Sequence, residues 1–217
     1  MDSAVPEENS SFQNGKLKVI RIQERGTKGN KVCVLISDGS SFFISFRSVE
    51  DLGIYPGMIL SSHEMEALQR AAEYHRGYEK AVDLVARSEH SRFQLFQKLL
   101  KRGFSDTIAE EICRDFEKRG FIDDQRYAEM WIESRCRRRP EGPDRINAGL
   151  RGRGISREVT ENAVSRFFTE ENLLAVFYRA VEKEKRRYSE NPEALKKRLC
   201  YLGFPSYLIR SYLKNNH

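Results

Sequence analysis

The chain has 217 residues, of which 39% are hydrophobic and 32% charged, and its formal net charge at pH 7 is +6. This composition favours several small packed modules over one large core. No run of 18 apolar residues could form a transmembrane helix, and the polar, acidic start is unlike a signal peptide. We therefore expect a cytoplasmic protein that makes no membrane contact.

The first 60 residues are predicted to contain a tail and a small sheet. Residues 1–15 lack apolar periodicity and are predicted to be disordered. Residues 16–60 contain three runs rich in β-formers, with turn signals at Lys28-Gly29-Asn30 and Asp38-Gly39 between them. The runs are Leu17–Gln23, Val32–Ser37 and Phe42–Phe46. They predict an antiparallel meander that ends near residue 57 and packs on the following helix, since so small a sheet is not stable alone.

That helix is predicted to connect the sheet to the rest of the chain. Ser61 and Glu64 have the spacing of a capping box, so the helix is expected to begin there and to span residues 61–77. A bend is expected near Gly77, where the first helix of the next segment begins.

The remaining residues contain one pattern three times. In the first copy, Leu95 and Leu99 share a helical face that Gly103 ends, and a second helix carries Ile108 and Ile112. The equivalent residues are Ile146, Leu150, Gly154, Val159 and Ala163, then Leu195, Leu199, Gly203, Leu208 and Tyr212. An amphipathic stretch precedes each copy. The fold is therefore predicted to be mostly α-helical, with tandem three-helix, helix-turn-helix-like repeats after a small antiparallel β segment. The repeats span residues 78–122, 123–168 and 169–217.

The positive charge is distributed unevenly. Residues 1–80 contain 10 Lys/Arg and 11 Asp/Glu, a balance of −1, whereas residues 81–217 contain 28 and 21, a balance of +7. A basic half is typical of proteins that bind an anionic partner, most often nucleic acid. Lysine and arginine also serve as ordinary solvated residues on helices, so charge alone leaves both interpretations open.

The densest charge lies in the second repeat, where seven arginines and two acidic residues leave +5 in 19 residues. The arginines are Arg135, Arg137, Arg138, Arg139, Arg145, Arg151 and Arg153. Pro140, Gly142 and Pro143 are predicted to hold this loop away from the helices and to leave it accessible. Guanidinium groups bind phosphates and carboxylates bidentately, so the cluster predicts contact with DNA or with an acidic protein surface. The alternative is a solvated loop.

Smaller basic groups recur in the first and third repeats. They are Lys98, Lys101 and Arg102, then Lys183, Lys185, Arg186 and Arg187, and finally Lys196, Lys197 and Arg198. Their recurrence predicts a basic stripe along the repeats, although a solvated face explains them as well.

Catalytic and metal-binding patterns are absent from the sequence. The four cysteines form no C-x-x-C pair or Cys/His cluster and are expected to be reduced thiols, and the four histidines lack metal-ligand spacing. Neither G-x-x-x-x-G-K-[ST] nor G-x-G-x-x-G occurs. We expect no metal, no cofactor and no enzymatic activity.

The ordered series of motifs resembles the RecX family of recombinase regulators over about residues 60–214. The segments are Leu99-Leu-Lys-Arg-Gly-Phe104, Gly120-Phe-Ile-Asp-Asp-Gln-Arg-Tyr-Ala-Glu129, Arg135-Cys-Arg-Arg-Arg139 with Gly142-Pro143, Ile146-Asn-Ala-Gly-Leu-Arg-Gly-Arg-Gly-Ile155 and Leu195-Lys-Lys-Arg-Leu-Cys-Tyr-Leu-Gly-Phe204. The resemblance implies an elongated, curved array that binds RecA recombinase filaments and usually inhibits their ATP hydrolysis and strand exchange. Weak, non-specific contact with single- and double-stranded DNA is expected as well.

Two other functions stay open at this point. A helix-turn-helix transcriptional regulator would need a recognition helix that begins with base-reading side chains, but the helices that begin near Asp106 and Arg157 are acidic there. An adaptor for an acidic protein, with no DNA involved, would also carry basic repeats. The chain is predicted to be a monomer, because stacked repeats with polar ends need no second copy.

Overall fold

The computed structural model describes residues 16–25, 31–188 and 191–215. The predicted tail at residues 1–15 and the predicted turn at residues 28–30 lie outside the described residues. The chain divides into two compact units, Met1–Lys80 and Ala81–His217.

The first unit contains an antiparallel sheet with strand order β3-β2-β1-β4. Its elements are β1 Leu17–Glu24, β2 Val32–Ile36, β3 Ser41–Ile44, α1 Phe46–Asp51, β4 Ile59–Leu60 and the first part of α2 Ser62–Val85. Gly39 has a φ of +86° in the tight turn between β2 and β3, which confirms the Asp38-Gly39 hairpin. Val19, Val34 and Ile36 pack with Leu68 of α2, so the sheet rests on the helix that follows it, as predicted.

The predicted meander was incomplete, because the segment after β3 contains a short helix and a fourth strand. The Ser45 hydroxyl accepts a hydrogen bond of 3.0 Å from the Ser48 backbone N–H and so caps α1. The chain then returns to pair Leu60 of β4 with Leu17 of β1. Strand β4 depends on this pairing with a strand far along the chain, which local sequence patterns do not report.

The second unit is helical. Its elements, after the end of α2, are α3 Arg92–Leu100, α4 Asp106–Lys118, α5 Asp124–Arg138, α6 Pro143–Arg151, α7 Arg157–Phe167, α8 Glu170–Tyr188, α9 Pro192–Tyr201 and α10 Ser206–Asn215. Helices α3 and α4 belong to the first repeat, α5 to α7 form the second, and α8 to α10 form the third. The predicted connecting helix and the first helix of the first repeat are one uninterrupted helix, α2.

The repeat pattern predicted from spacing is confirmed. Leu95 and Leu99 are fully buried, and so are Ile146 and Leu150 at the equivalent positions of the second repeat. The turn glycines have left-handed backbone conformations, with φ values of +81° at Gly103, +76° at Gly154 and +80° at Gly203. A residue with a side chain rarely adopts this conformation, so glycine is strongly favoured at each of these turns.

The second and third repeats share one hydrophobic core. Ile132 and Ile146 of the second repeat belong to the same buried cluster as Phe177 and Leu199 of the third. The rings of Phe177 and Phe204 meet edge to face, with centroids 5.3 Å apart. Because both repeats contribute to this core, α5 and α8 both pack on it, and the surface that they form together rests on buried apolar residues.

Candidate partner-binding surface

The loop between α5 and α6 is buried after Arg139, so the prediction that it is held away from the helices is wrong. Pro140, Glu141 and Gly142 are all buried. The Gly142 N–H donates a hydrogen bond of 2.7 Å to the Leu202 carbonyl oxygen of the third repeat. A Cβ at position 142 would lie 2.2 Å from the Gly203 carbonyl oxygen, so only glycine allows this close approach. The loop is part of the junction between the two repeats.

Glu141 binds two of the arginines that were predicted to meet a partner. Its side chain is only 5% exposed. Arg135 donates bonds of 2.8 and 3.0 Å to the two carboxylate oxygens, and Arg145 donates one of 3.3 Å. The hydrogen bonding of Arg135 to Glu141 raises the pKa of Arg135. The Arg145 guanidinium also lies 4.3 Å from the centroid of the Tyr201 ring. Both arginines therefore neutralise a buried carboxylate inside the protein.

Arg153 is held by Trp131. Its guanidinium carbon lies 4.4 Å from the indole centroid, and its Nη1 donates a 2.8 Å hydrogen bond to the Gly149 carbonyl oxygen. Trp131 is partly buried and packs against the shared core. The guanidinium is thus engaged within the second repeat.

The smaller basic groups differ in how they are held. Arg198 pairs with the buried Glu184 at 3.2 Å, Lys196 pairs with Glu193 at 3.4 Å, and Lys98 contacts the His90 ring. The remaining predicted residues are exposed; they are Lys101, Arg102, Arg137, Arg138, Arg139, Arg151, Lys183, Lys185, Arg186, Arg187 and Lys197.

One basic groove collects several predicted residues from two repeats. It has a volume of about 430 Å³ and is lined by Arg137, Arg138 and Pro140 from the end of α5 and by Tyr178, Arg179, Glu182 and Lys183 from α8. We call it the α5–α8 groove. Four cationic side chains against one carboxylate leave a net charge of +3. Arg137, Arg138 and Lys183 make no ion pair with any residue that the structure describes.

Arg179 fixes the geometry of this groove. Its Nη2 donates hydrogen bonds of 3.2 Å to the Cys136 carbonyl oxygen and 3.0 Å to the Arg137 carbonyl oxygen. These carbonyls belong to the last turn of α5, where helical carbonyls lack intrahelical partners and carry partial negative charge. The contact ties α8 to the end of α5, so that Arg137 and Lys183 line the same groove.

Sequence reasoning missed Tyr178 and Arg179. Tyr178 and Glu182 are four residues apart on α8, as are Arg179 and Lys183, so all four lie on one side of the helix. The helical spacing was therefore visible. The contact between that side of α8 and the end of α5 could not be predicted from the sequence, because α6 and α7 separate the two helices along the chain.

Two classes of feature are absent from the part of the chain that the structure covers. Its helices include none with the length and apolar character needed to cross a membrane. Within the same residues, no group of three or more His, Cys, Asp or Glu side chains is arranged to hold a metal ion.

Comparison with known proteins agrees with this architecture. The family model described as the first three-helix domain of RecX matches residues 78–114, and that of the second three-helix domain matches residues 123–164. The regulatory protein RecX of Treponema pallidum (strain Nichols) is 35% identical over 133 residues, which are 61% of this chain and 80% of that protein. RecX of Pelodictyon phaeoclathratiforme is 34% identical over 139 residues, or 62% and 84% of the two chains.

Solved structures show the same fold. A crystal structure of regulatory protein RecX superposes with a TM-score of 0.77 at 20% identity and covers 92% of this chain and 99% of that one. RecX from Lactobacillus salivarius superposes with a TM-score of 0.59 at 22% identity and covers 66% of this chain and 96% of that one. The repeat pattern, the paired domain matches and the relatives above 30% identity lead to one conclusion: the chain belongs to the RecX family of regulatory proteins.

Proposed function

We propose that this protein regulates RecA recombinase by binding the RecA–DNA filament and lowering its ATP hydrolysis and strand exchange. Membership of a family of regulatory proteins is the observation that carries the proposal. The α5–α8 groove supports it, because a supported, positively charged surface suits a polyanionic filament. The proposal includes a cytoplasmic monomer, without catalytic activity of its own, whose contacts with DNA are weak and non-specific.

The shared core suggests how such regulation would work. The apolar residues of the second and third repeats form a single cluster, so the two repeats would move as one body. Together they could contact neighbouring filament subunits. A bound protein shifts a conformational equilibrium only when it binds one state better than the other. Inhibition therefore requires that the paired repeats fit one subunit arrangement and penalise the motion needed for hydrolysis.

The test is the rate of DNA-dependent ATP hydrolysis by RecA as this protein is titrated to equimolar amounts. We expect a fall at substoichiometric levels, and a weaker effect from a variant with Arg137, Arg138 and Arg139 replaced by alanine. The control replaces Arg210 and Lys214 by alanine; both are exposed on α10 and do not line the groove, so this variant should inhibit like the parent protein. Circular dichroism of each variant verifies folding.

A different result would favour the alternative function. If the rate does not change and the protein binds one duplex sequence tightly, it is a helix-turn-helix transcriptional regulator instead. Asp106 and Glu158 lie in the first turns of α4 and α7, where a recognition helix would face the base edges of DNA. This acidic character counts against a DNA-reading helix and therefore favours the recombinase filament as the partner.

A further inference from the structure

We infer that the α5–α8 groove binds a single strand of nucleic acid, with a base stacked on Tyr178 and with phosphates held by Arg137, Arg138 and Lys183. The inference rests on the proposed function, which leaves open whether the basic repeats meet the DNA or the recombinase. Charge alone does not separate these partners. The aromatic side chain in the groove does.

Tyr178 is exposed in a helix that buries its neighbours. Phe177 and Val181 of α8 lie in the shared core, whereas Tyr178 is 54% exposed and lines the groove. Its ring meets Phe177 at 5.7 Å and 67°, and Tyr212 at 6.5 Å and 72°. These edge contacts hold the orientation of the ring. Most of the side chain stays accessible to a flat ligand.

The cations that line the same groove as Tyr178 can bind the phosphates on either side of a stacked base. Arg137 and Arg138 line the groove from α5, and Lys183 lines it from the turn of α8 that follows Tyr178. Arg179 bonds to backbone carbonyls and acts as a positioning residue. Arg186 lies three residues beyond Lys183 on the same helix and extends the positive charge by one turn.

A single strand suits this groove better than a duplex or an acidic protein. Duplex bases are stacked on one another and offer no free face to Tyr178, whereas every unpaired base does. A positively charged groove with an exposed aromatic ring is the recurring arrangement of single-strand binding sites. At about 430 Å³, the groove has the size of sites that hold a small ligand, which matches one nucleotide and its phosphates.

The test measures binding of a fluorescently labelled oligothymidylate to the full-length protein in the absence of recombinase. We expect Tyr178→Ala to weaken binding about tenfold and Tyr178→Phe to leave it nearly unchanged, because phenylalanine keeps the ring. Tyr207→Ala is the matched control, since Tyr207 is equally exposed on α10 and does not line the groove. Replacing Arg137 and Arg138 by alanine should reduce the slope of log affinity against log salt by about 1.4.

Several results would overturn the inference. Binding that is unchanged in Tyr178→Ala and in the double arginine variant would exclude the groove as the strand site. A loss of duplex affinity equal to the loss of single-strand affinity in Tyr178→Ala would exclude base stacking. If the arginine variant binds the oligonucleotide normally but inhibits RecA less, the groove meets the recombinase, and the proposed function stands without this inference. If binding depends on Tyr178 but RecA hydrolysis never changes, the inference stands and the proposed function fails.

Discussion

The backbone N–H of Gly142 donates a 2.7 Å hydrogen bond to the carbonyl oxygen of Leu202, at the junction of the second and third repeats. The first junction uses the equivalent positions, since the Ser91 hydroxyl donates a 2.8 Å bond to the Arg153 carbonyl oxygen. Gly142 follows Ser91 by 51 residues and Leu202 follows Arg153 by 49, the same separations as between the turn glycines. Successive repeats are therefore joined by hydrogen bonds at equivalent positions, from a side-chain hydroxyl at the first junction and from a backbone N–H at the second.

Replacing Gly142 by alanine should open the second junction. The new Cβ would lie 2.2 Å from the Gly203 carbonyl oxygen and 2.4 Å from its carbonyl carbon, and neither backbone atom can move without shifting the turn. We expect the free energy of unfolding to fall by about 1–3 kcal/mol, as for other overpacked sites, which urea denaturation would measure. Gly152→Ala is the control, because its Cβ meets nothing closer than 3.4 Å and its φ is −63°. Equal stability of the two variants would mean that the junction contributes little.

Replacing Glu141 by alanine should leave two guanidinium groups without their buried partner. Removal of one member of a buried ion pair costs about 3–5 kcal/mol, and we expect the lower end because Arg135 and Arg145 remain about one-third exposed. The comparison is Glu161→Ala, which breaks an exposed pair with Arg157 and should change stability by less than about 0.5 kcal/mol. Chemical denaturation of both variants measures the contrast. A Glu141 variant as stable as Glu161→Ala would show that the network is dispensable.

Stability should fall at mildly acidic pH because of His90. Its Nδ1 lies 2.6 Å from the Ser88 carbonyl oxygen, and its Nε2 faces the Lys98 ammonium, so the contacts require a neutral ring. Burial lowers the pKa of His90. The unfolded chain therefore binds a proton that the folded chain does not, and the stabilisation present above about pH 6.5 is lost as the pH falls below it.

The measurement for His90 is the urea midpoint across this pH range. In His90→Gln the decline should be shallower than in the parent protein. Part of the decline is expected to persist, because burial also lowers the pKa of His75. Parallel curves for parent and variant would contradict the assignment to His90.

Thiol labelling should distinguish the exposed Cys200 from the buried Cys113 and Cys136. Burial raises the pKa of Cys113 to about 12 and that of Cys136 to about 11, so both stay protonated and shielded near neutral pH. Cys200 is exposed on α9. We expect a fast phase with a thiol-reactive dye that disappears in Cys200→Ser, followed by slow labelling of Cys113 and Cys136 on unfolding. Rapid labelling of Cys136 in the folded protein would show that the α5–α6 loop opens readily.

The helical repeats could be predicted from the sequence because their signals are local. Leu95 and Leu99 are four residues apart on one helical face, and Gly103 provides the left-handed turn that ends the helix. The Asp38-Gly39 turn and its flanking strands were predicted for the same reason. Strand β4 was missed because it exists only through its pairing with residues of β1, more than 40 positions earlier.

The sequence by itself determined the repeat architecture, the family resemblance and the concentration of arginine in the second repeat, since each follows from the identity and spacing of neighbouring residues. Only the tertiary structure decided what the arginines do. Arg135 and Arg145 meet a buried Glu141, whereas Arg137 and Arg138 line an open groove with Tyr178. Their positions in the chain are nearly the same. Their environments differ because Arg135 and Arg145 flank the buried Glu141 at the junction with the third repeat, whereas Arg137 and Arg138 face α8 across the open groove.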